Sequence, residues 1–296
     1  MRNIALLQGR LESFGCTNAE EESNAIREMM QELILAGLAR SDFFVKAAFH
    51  GGTQLRIFEG VRRFSEDLDF ALLEKDLSFP LLPSLERVAE ELSTIGVELE
   101  VKDRSKADAA VKKGFVKNSS LAKILDLKFM LPFGSPSTPP KMTIKLEVDA
   151  DPPAGASYSA KQLFFPYPAS IRCFDRESSF SGKMHALLCR EYVKGRDWFD
   201  FVWYAGTHTR LNHALLSSAI NQQGPWAGQG IVTDDAWVKA ALYGKIASLD
   251  WKAAQRDVMP FVQAGDRMAI EAWDAQYFSA IAEELFNRPT GMSMTE

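Results

Sequence analysis

Apolar residues recur along this chain with two different periods, and the change of period divides it. Ile26, Met29, Met30, Leu33 and Ile34 fall at i, i+3, i+4, i+7 and i+8. That spacing predicts an amphipathic helix, with Thr17 and Glu20 placed to close a capping box ahead of it. Phe43 to Phe49 is a short, apolar, β-rich run ending at Gly51-Gly52, which reads as a strand stopping at a tight turn. Phe64 to Leu73 alternates with period two, a second strand. Leu85, Val88, Leu92 and Ile95 give a helix closed by Gly96. Strands are expected at 97–101 and 124–131, a loop at GSPSTPP (134–140), and a further strand from Met142 to Asp149.

Beyond Asp151-Pro152-Pro153 the period-two signal stops, and all six tryptophans lie in the second half of the chain. Ser181 to Tyr204, Asp235 to Ser248 and Asp266 to Phe286 carry helical spacing; in the last, Ile270, Trp273, Tyr277, Ile281 and Leu285 share one side. The expectation is an α+β, bi-lobed protein: residues 1–165 a mixed β-sheet with flanking helices, residues 166–296 a helical lobe. There is no internal repeat, and the tail RPTGMSMTE is expected to fray.

Composition narrows the class. The 296 residues are 46% hydrophobic and 25% charged, the proportions of a globular protein. The net charge of −5 excludes an overall basic coat for nucleic acid. It is, however, uneven: the stretch from Lys102 to Lys145 carries ten basic and three acidic residues, +7, leaving −12 elsewhere. Such a stretch suits an RNA backbone or, equally, a pair of lysine-decorated strands. Cys16, Cys173 and Cys189 show no C-x-x-C spacing, so reduced thiols and a cytoplasmic location are expected. No apolar run reaches the roughly 20 residues that cross a bilayer. The four histidines form no metal-binding spacing, so any metal must be held by oxygen.

The chemistry concentrates in HGGTQLRIFEGVRRFSEDLDFALL, residues 50–73. On a strand, residues i and i+2 share a face, so Asp67 and Asp69 project together while Leu68 and Phe70 point to the core. Two such carboxylates make a hard oxygen site for magnesium or manganese, and the turn Gly51-Gly52-Thr53 lets backbone N–H groups approach a triphosphate. In Met142 to Asp149, Ile144, Leu146 and Val148 form one face and Lys145, Glu147 and Asp149 the other. Glu147, in mid-strand, is the better candidate for a third acid, to complete the metal site or act as base. Arg63 is open to two roles, pairing with a carboxylate or meeting the nucleotide. On a straight helix Lys183, Arg190 and Asp197 lie within about 40° of one another, with Asp200 about 100° from Lys183. Gly195 is able to reset that phase, so both aspartates are retained. Lys183 and Arg190 alone would read as a solvated cationic stripe.

Taken together, G-G-T, R-F-S-E-D-L-D-F, a strand bearing an acid, K-x-x-A-L-L-x-R and G-R-D-x-x-D-F resemble the AbiEii/AbiGii nucleotidyltransferase family, which includes the MenT toxins, within the DNA polymerase β-like superfamily. The resemblance implies a nucleotidyltransferase-type N-terminal lobe and a helical lobe with the nucleotide held in the cleft between them. By it, Asp67 and Asp69 bind metal, preceded by Ser65 as in the family's S-x-D. Gly52 and Thr53 grip the triphosphate, and Lys183 contacts phosphate with Arg190 beside it. One of Asp197 or Asp200 is the later essential aspartate. It also implies an NTP substrate, an RNA acceptor such as the tRNA 3′ end, pyrophosphate release, growth arrest and a separate antitoxin, with no membrane. One departure is His50, where many relatives place lysine before the glycine pair. Two other activities remain open on the residues: transfer to a protein or small molecule, and a non-catalytic nucleotide- or partner-binding module.

Overall fold

Burying an apolar stripe of this length on one helix is worth about 1.5–3 kcal/mol per large side chain, and the N-terminal sheet is organised on it. The computed structural model describes residues 2–95, 97–102, 120–129 and 141–287. Gly96, residues 130–131 of the expected strand, the loop at 134–140, the tail at 288–296 and much of the basic stretch lie outside the described residues. Helix α1 spans Arg2–Glu12 and α2 spans Ala19–Ala39. Met29, Met30, Leu33 and Ile34 are fully buried in the core, as the spacing requires. The cap differs from the expected box by one residue. Asn18 accepts from the Glu21 N–H, and the Glu21 carboxylate takes the Thr17 N–H and hydroxyl. Asn18 is the residue next to the helix and a stronger N-cap type than threonine, so it takes the cap ahead of Thr17.

Between α2 and the first strand, Asp42 adopts a left-handed conformation (φ 59°) and Phe43–Lys46 form a one-turn helix, α3. This corrects the strand expected from Phe43. Both Phe43 and Phe44 are buried, which adjacent residues on a strand cannot achieve on one face. Strand β1 is Ala47–His50, and helix α4, Gly51–Glu59, begins at the next residue, so the glycine pair opens a helix instead of a turn between strands. Then come β2 (Leu68–Leu72), α5 (Leu81–Ser93), β3 (Val97–Lys102), β4 (Ser120–Phe129), β5 (Lys141–Asp149), β6 (Tyr158–Leu163) and β7 (Ala169–Phe174).

These strands form one seven-stranded mixed sheet in the order β3-β4-β5-β2-β1-β7-β6. β1 runs antiparallel to β2 and parallel to β7, while β2 runs parallel to β5. The hairpin β6–β7 corrects the expectation that strands end near residue 153. β6, at the sheet edge, buries only Leu163, and β7 buries Ile171, Cys173 and Phe174. An edge strand with one buried side chain leaves no apolar alternation to read.

The chain divides into two compact units, Met1–Pro152 with Ser157–Asp175, and Pro153–Ala156 with Arg176–Glu296. The second is helical: α6 (Arg176–Cys189), α7 (Gly195–Gly206), α8 (His213–Gln222), α9 (Asp235–Ser248), α10 (Trp251–Val258), α11 (Arg267–Glu271) and α12 (Ala275–Phe286). Asn212, Asp234, Asp250 and Asp274 each cap a helix by accepting the N–H three residues on. Asp274 also divides the helix expected over 266–286, so the buried face of α12 is Phe278 and Ala282, not Tyr277 and Ile281. Trp198, Trp251, Trp273 and Phe278 form its aromatic centre, with Trp251 stacked on Phe278 at 4.3 Å. Among the described residues no helix is long and apolar enough to cross a membrane.

The single helix expected from Ser181 to Tyr204 is broken at 190–194. Gly195 restarts it where α7 meets α10 so closely that a β-carbon would lie 1.9 Å from the Ala254 carbonyl oxygen. Gly182, exposed within α6, has nothing near its missing β-carbon. Gly195→Ala is therefore expected to cost about 2 kcal/mol or more, and Gly182→Ala to add about 0.5–1 kcal/mol. Urea unfolding of the two variants beside wild type checks both signs.

Candidate active site

In the first unit the structure gathers the residues singled out in the sequence around the start of α4. Gly51 has a positive φ of 85°, a conformation that costs a residue with a β-carbon. Its missing β-carbon would stand 2.6 Å from Asp69 Oδ2. At Gly52 the same position would meet Arg63 Nη2 at 2.6 Å and Ser65 Oγ at 2.9 Å. Gly51 is thus required by its φ together with Asp69, while a β-carbon at Gly52 would push aside the Arg63 and Ser65 side-chain ends packed on it. The first N–H groups of a helix have no partner within it and carry its positive end, so here they start beside a carboxylate and a guanidinium.

Thr53 is fully buried, and its hydroxyl donates to the Asp67 carbonyl oxygen. The side chain therefore fixes the segment that presents Asp67. Gln54, also buried, donates to the Phe174 carbonyl at 2.8 Å and ties α4 to β7. Arg63 is buried and donates to the Phe64 carbonyl at 3.0 Å.

Asp67 directly precedes β2 and Asp69 lies within it; Leu68 and Phe70 are buried on the opposite face. Register places His50 of β1 opposite Asp69, and Asp69 opposite Glu147 of β5. Cross-strand partners share a face, so these three strands contribute one row of side chains. The His50 ring stacks on Phe174 at 4.9 Å. Asp149, the other acid on its strand face, accepts the Asp151 N–H at 3.1 Å.

Lys145 belongs to the same face, and composition alone gave no reason to select it. Its ammonium lies 3.0 Å from Glu147 Oε1. Burial would push its pKa down, but Glu147, and then Asp67 and Asp69, outweigh burial and hold it above the ordinary lysine value. The fields of all three carboxylates thus meet at one ammonium. Among the described residues no group of three or more His, Cys, Asp or Glu side chains converges to hold a metal ion. The donor chemistry fits magnesium on the Asp67–Asp69 pair, because that ion takes one or two carboxylates from protein and the rest from water and phosphate.

The second unit brings together Lys183, Arg190, Asp197 and Asp200. Lys183 Nζ is 2.7 Å from Asp197 Oδ1 and 2.8 Å from Asp200 Oδ2, while Arg190 Nη1 is 3.1 Å from Asp197 Oδ2. Both aspartates are buried. The straight-helix phase separated Asp200 from Lys183; the break at 190–194 removes that phase, and α7 turns both acids toward α6. Burial would push the Asp197 carboxyl up, but Lys183, Arg190 and Lys194 outweigh it and hold it far below the usual carboxylate range. Lys194 and Arg196, next to the break, had no periodic signal by which they could be found.

Among curated proteins no sequence matches this chain. Among solved structures it is similar to MenT4, a nucleotidyltransferase toxin of Mycobacterium tuberculosis, at 17% identity and a TM-score of 0.52 over 93% of this chain and 98% of that one. JHP933 of Helicobacter pylori matches at 17% identity and 0.46, over 90% and 89%. The first of these likenesses speaks for the fold alone. Residues 33–281 match the family model described as the nucleotidyl transferase AbiEii toxin of type IV toxin–antitoxin systems, and a match over so much of the chain means that the protein belongs to this family of nucleotidyltransferase toxins.

Proposed function

We propose that this toxin transfers a nucleoside monophosphate from an NTP to an RNA acceptor, the 3′ end of tRNA, with magnesium as its metal and pyrophosphate as the leaving group. The observation that supports it is the packing of the Gly51-Gly52 helix start against Asp69 and Arg63, with N–H groups of a kind suited to phosphate beside a carboxylate of a kind suited to a metal ion. The acceptor hydroxyl oxygen bonds to the α-phosphorus as the bond to pyrophosphate breaks, and the hydroxyl proton passes to a carboxylate oxygen of Glu147. Asp67 and Asp69 hold the ion, which when bound supplies Lewis-acid stabilisation of phosphate charge. The N–H groups at the start of α4 donate to phosphate oxygens, Lys145 orients Glu147, and Ser65 and Arg63 fix the glycine pair. In the second unit Lys183, set between Asp197 and Asp200 with Arg190 also on Asp197, braces α6 against α7.

Incubation with α-labelled NTPs and total RNA or cell lysate tests this reading. Label is expected in RNA with wild type, and at least about 100-fold less with Asp67→Ala, given the several kcal/mol a metal site supplies. Label in protein with none in RNA would overturn the RNA acceptor, and no label anywhere would overturn nucleotidyl transfer.

If the Thr53 hydroxyl acts through Asp67, Thr53→Val should lower kcat about 5–10-fold, the worth of roughly one hydrogen bond, with KM for NTP little changed, and Thr53→Ser should retain activity. A rise in KM alone would instead assign the hydroxyl to the triphosphate.

Asp197→Asn leaves Lys183 and Arg190 undercompensated and is expected to destabilise the protein by about 3 kcal/mol at pH 7. A carboxyl whose folded pKa is depressed contributes stability above its unfolded value near 3.9 and loses it as pH falls toward the folded one. The gap between wild type and variant in denaturant unfolding should therefore be full at pH 6–7 and close in acid; a gap independent of pH would show that the charge is not its source.

A further inference from the structure

The four residues that lead into the acid pair, Phe64 to Asp67, belong to neither helix nor strand, so no ladder or helical turn sets where Asp67 stands. Side chains hold the segment instead. Arg63 donates to the Phe64 carbonyl at 3.0 Å, Gln31 Nε2 donates to the Ser65 carbonyl at 3.1 Å, and the Thr53 hydroxyl donates to the Asp67 carbonyl. Arg63 adjoins the segment and moves with it, and Thr53 belongs to α4. Only Gln31, of these three, comes from α2, where every residue from Glu28 to Leu38 is buried. Arg27, one turn earlier on α2, reaches Glu66 at 3.2 Å, but their side chains are 23% and 37% exposed and water screens the pair.

The Gln31 amide is costly where it stands. The residue is 1% exposed, and its Oε1 has no hydrogen-bond partner among the described residues. A buried acceptor left unmatched opposes folding, and the bond made by Nε2 is a modest gain against it. Methionine, unbranched and of similar volume, would fill the same space without that cost. What the amide adds is a fixed place for Ser65. The Ser65 Oγ in turn packs 2.9 Å from where a β-carbon on Gly52 would stand, so the same residue registers the segment against the start of α4.

We infer that Gln31 is a positioning residue for the Asp67 carboxylate: through the Ser65 carbonyl it anchors the irregular segment to α2 and thereby sets where Asp67 meets a metal ion. The metal rests on the nucleotidyltransferase reading, whereas the anchoring of the segment to α2 does not.

Binding of Mn2+ alone to the full chain, read from the loss of the free ion's electron paramagnetic resonance signal, tests this without turnover. Gln31→Met should weaken Mn2+ binding about 5–10-fold, the worth of roughly one hydrogen bond, while Tm stays within about 4 °C of wild type. Gln31→Leu, different in shape and equally without a donor, should weaken it to the same degree. Asp67→Ala gives the level of a lost site. Mn2+ binding by both Gln31 variants within twofold of wild type, with Asp67→Ala weakened, would overturn the positioning role and leave the metal reading intact. Weakened binding accompanied by a large fall in Tm in both variants would assign Gln31 to the fold and overturn it too. Wild type binding Mn2+ no better than Asp67→Ala would take the metal away from Asp67, and the inference with it.

Discussion

The first unit depends on a helix beginning where a strand already carries a carboxylate. β1 runs into α4 with no intervening loop, and the Asp69 side chain of the adjacent strand lies against the first helical residue. Two separate demands then fall on Gly51. Its φ is in the left-handed region, and its β-carbon position is filled by Asp69. Gly52 meets only the second demand, from Arg63 and Ser65. A carboxylate at the positive end of a helix is stabilised by about 0.3–1 kcal/mol, so the close packing of Asp69 on the helix start is not simply strain. The same N–H groups that favour Asp69 are suited to phosphate, and the glycines keep both within reach.

Charge inside the fold is consistently shared between elements. In the first unit, α2 buries Glu28 and Glu32 against Arg56 and Arg10 at 2.7 and 2.6 Å, joining α2 to α4 and α1. Burial pushes both glutamates up, and the arginines oppose it. In the second unit the pattern is repeated with the signs exchanged: cations from α6 and the following break surround aspartates from α7. Such pairs add little net stability compared with apolar packing, but losing one partner is costly. They therefore fix how elements meet more than how strongly they hold.

Much of this was legible in the sequence, for reasons that are local. The i, i+2 rule put Asp67 and Asp69 together, and period two in Met142 to Asp149 put Glu147 on a polar face that register then aligned with Asp69. The α2 stripe was legible because one face of a long helix is wholly apolar. What failed was what depended on partners. Phe43 and Phe44 look like strand residues, and only the packing of both on one core makes a helical turn preferable. β6 has almost no buried face, so nothing in its sequence marks it. Helical phase reached Asp197 and missed Asp200, because it assumes a continuous helix and Gly195 restarts one.

Two lysines show why residue type near an acid does not determine role. Lys145 and Lys183 each sit on a carboxylate at hydrogen-bonding distance. Lys145 is 43% exposed and pairs with a glutamate 36% exposed, two residues away on its own strand. A pair so open to water is worth little, about 0–1 kcal/mol, so a competing cation can displace it at small cost. Lys183 is 11% exposed and bound to two aspartates at 5% and 0%. Releasing it would take an ammonium from two buried carboxylates at once, a loss several times larger. The first lysine is therefore a weakly held partner on the acidic face, and the second a fixed strut. Only burial, which neither spacing nor composition reveals at these positions, separates the two.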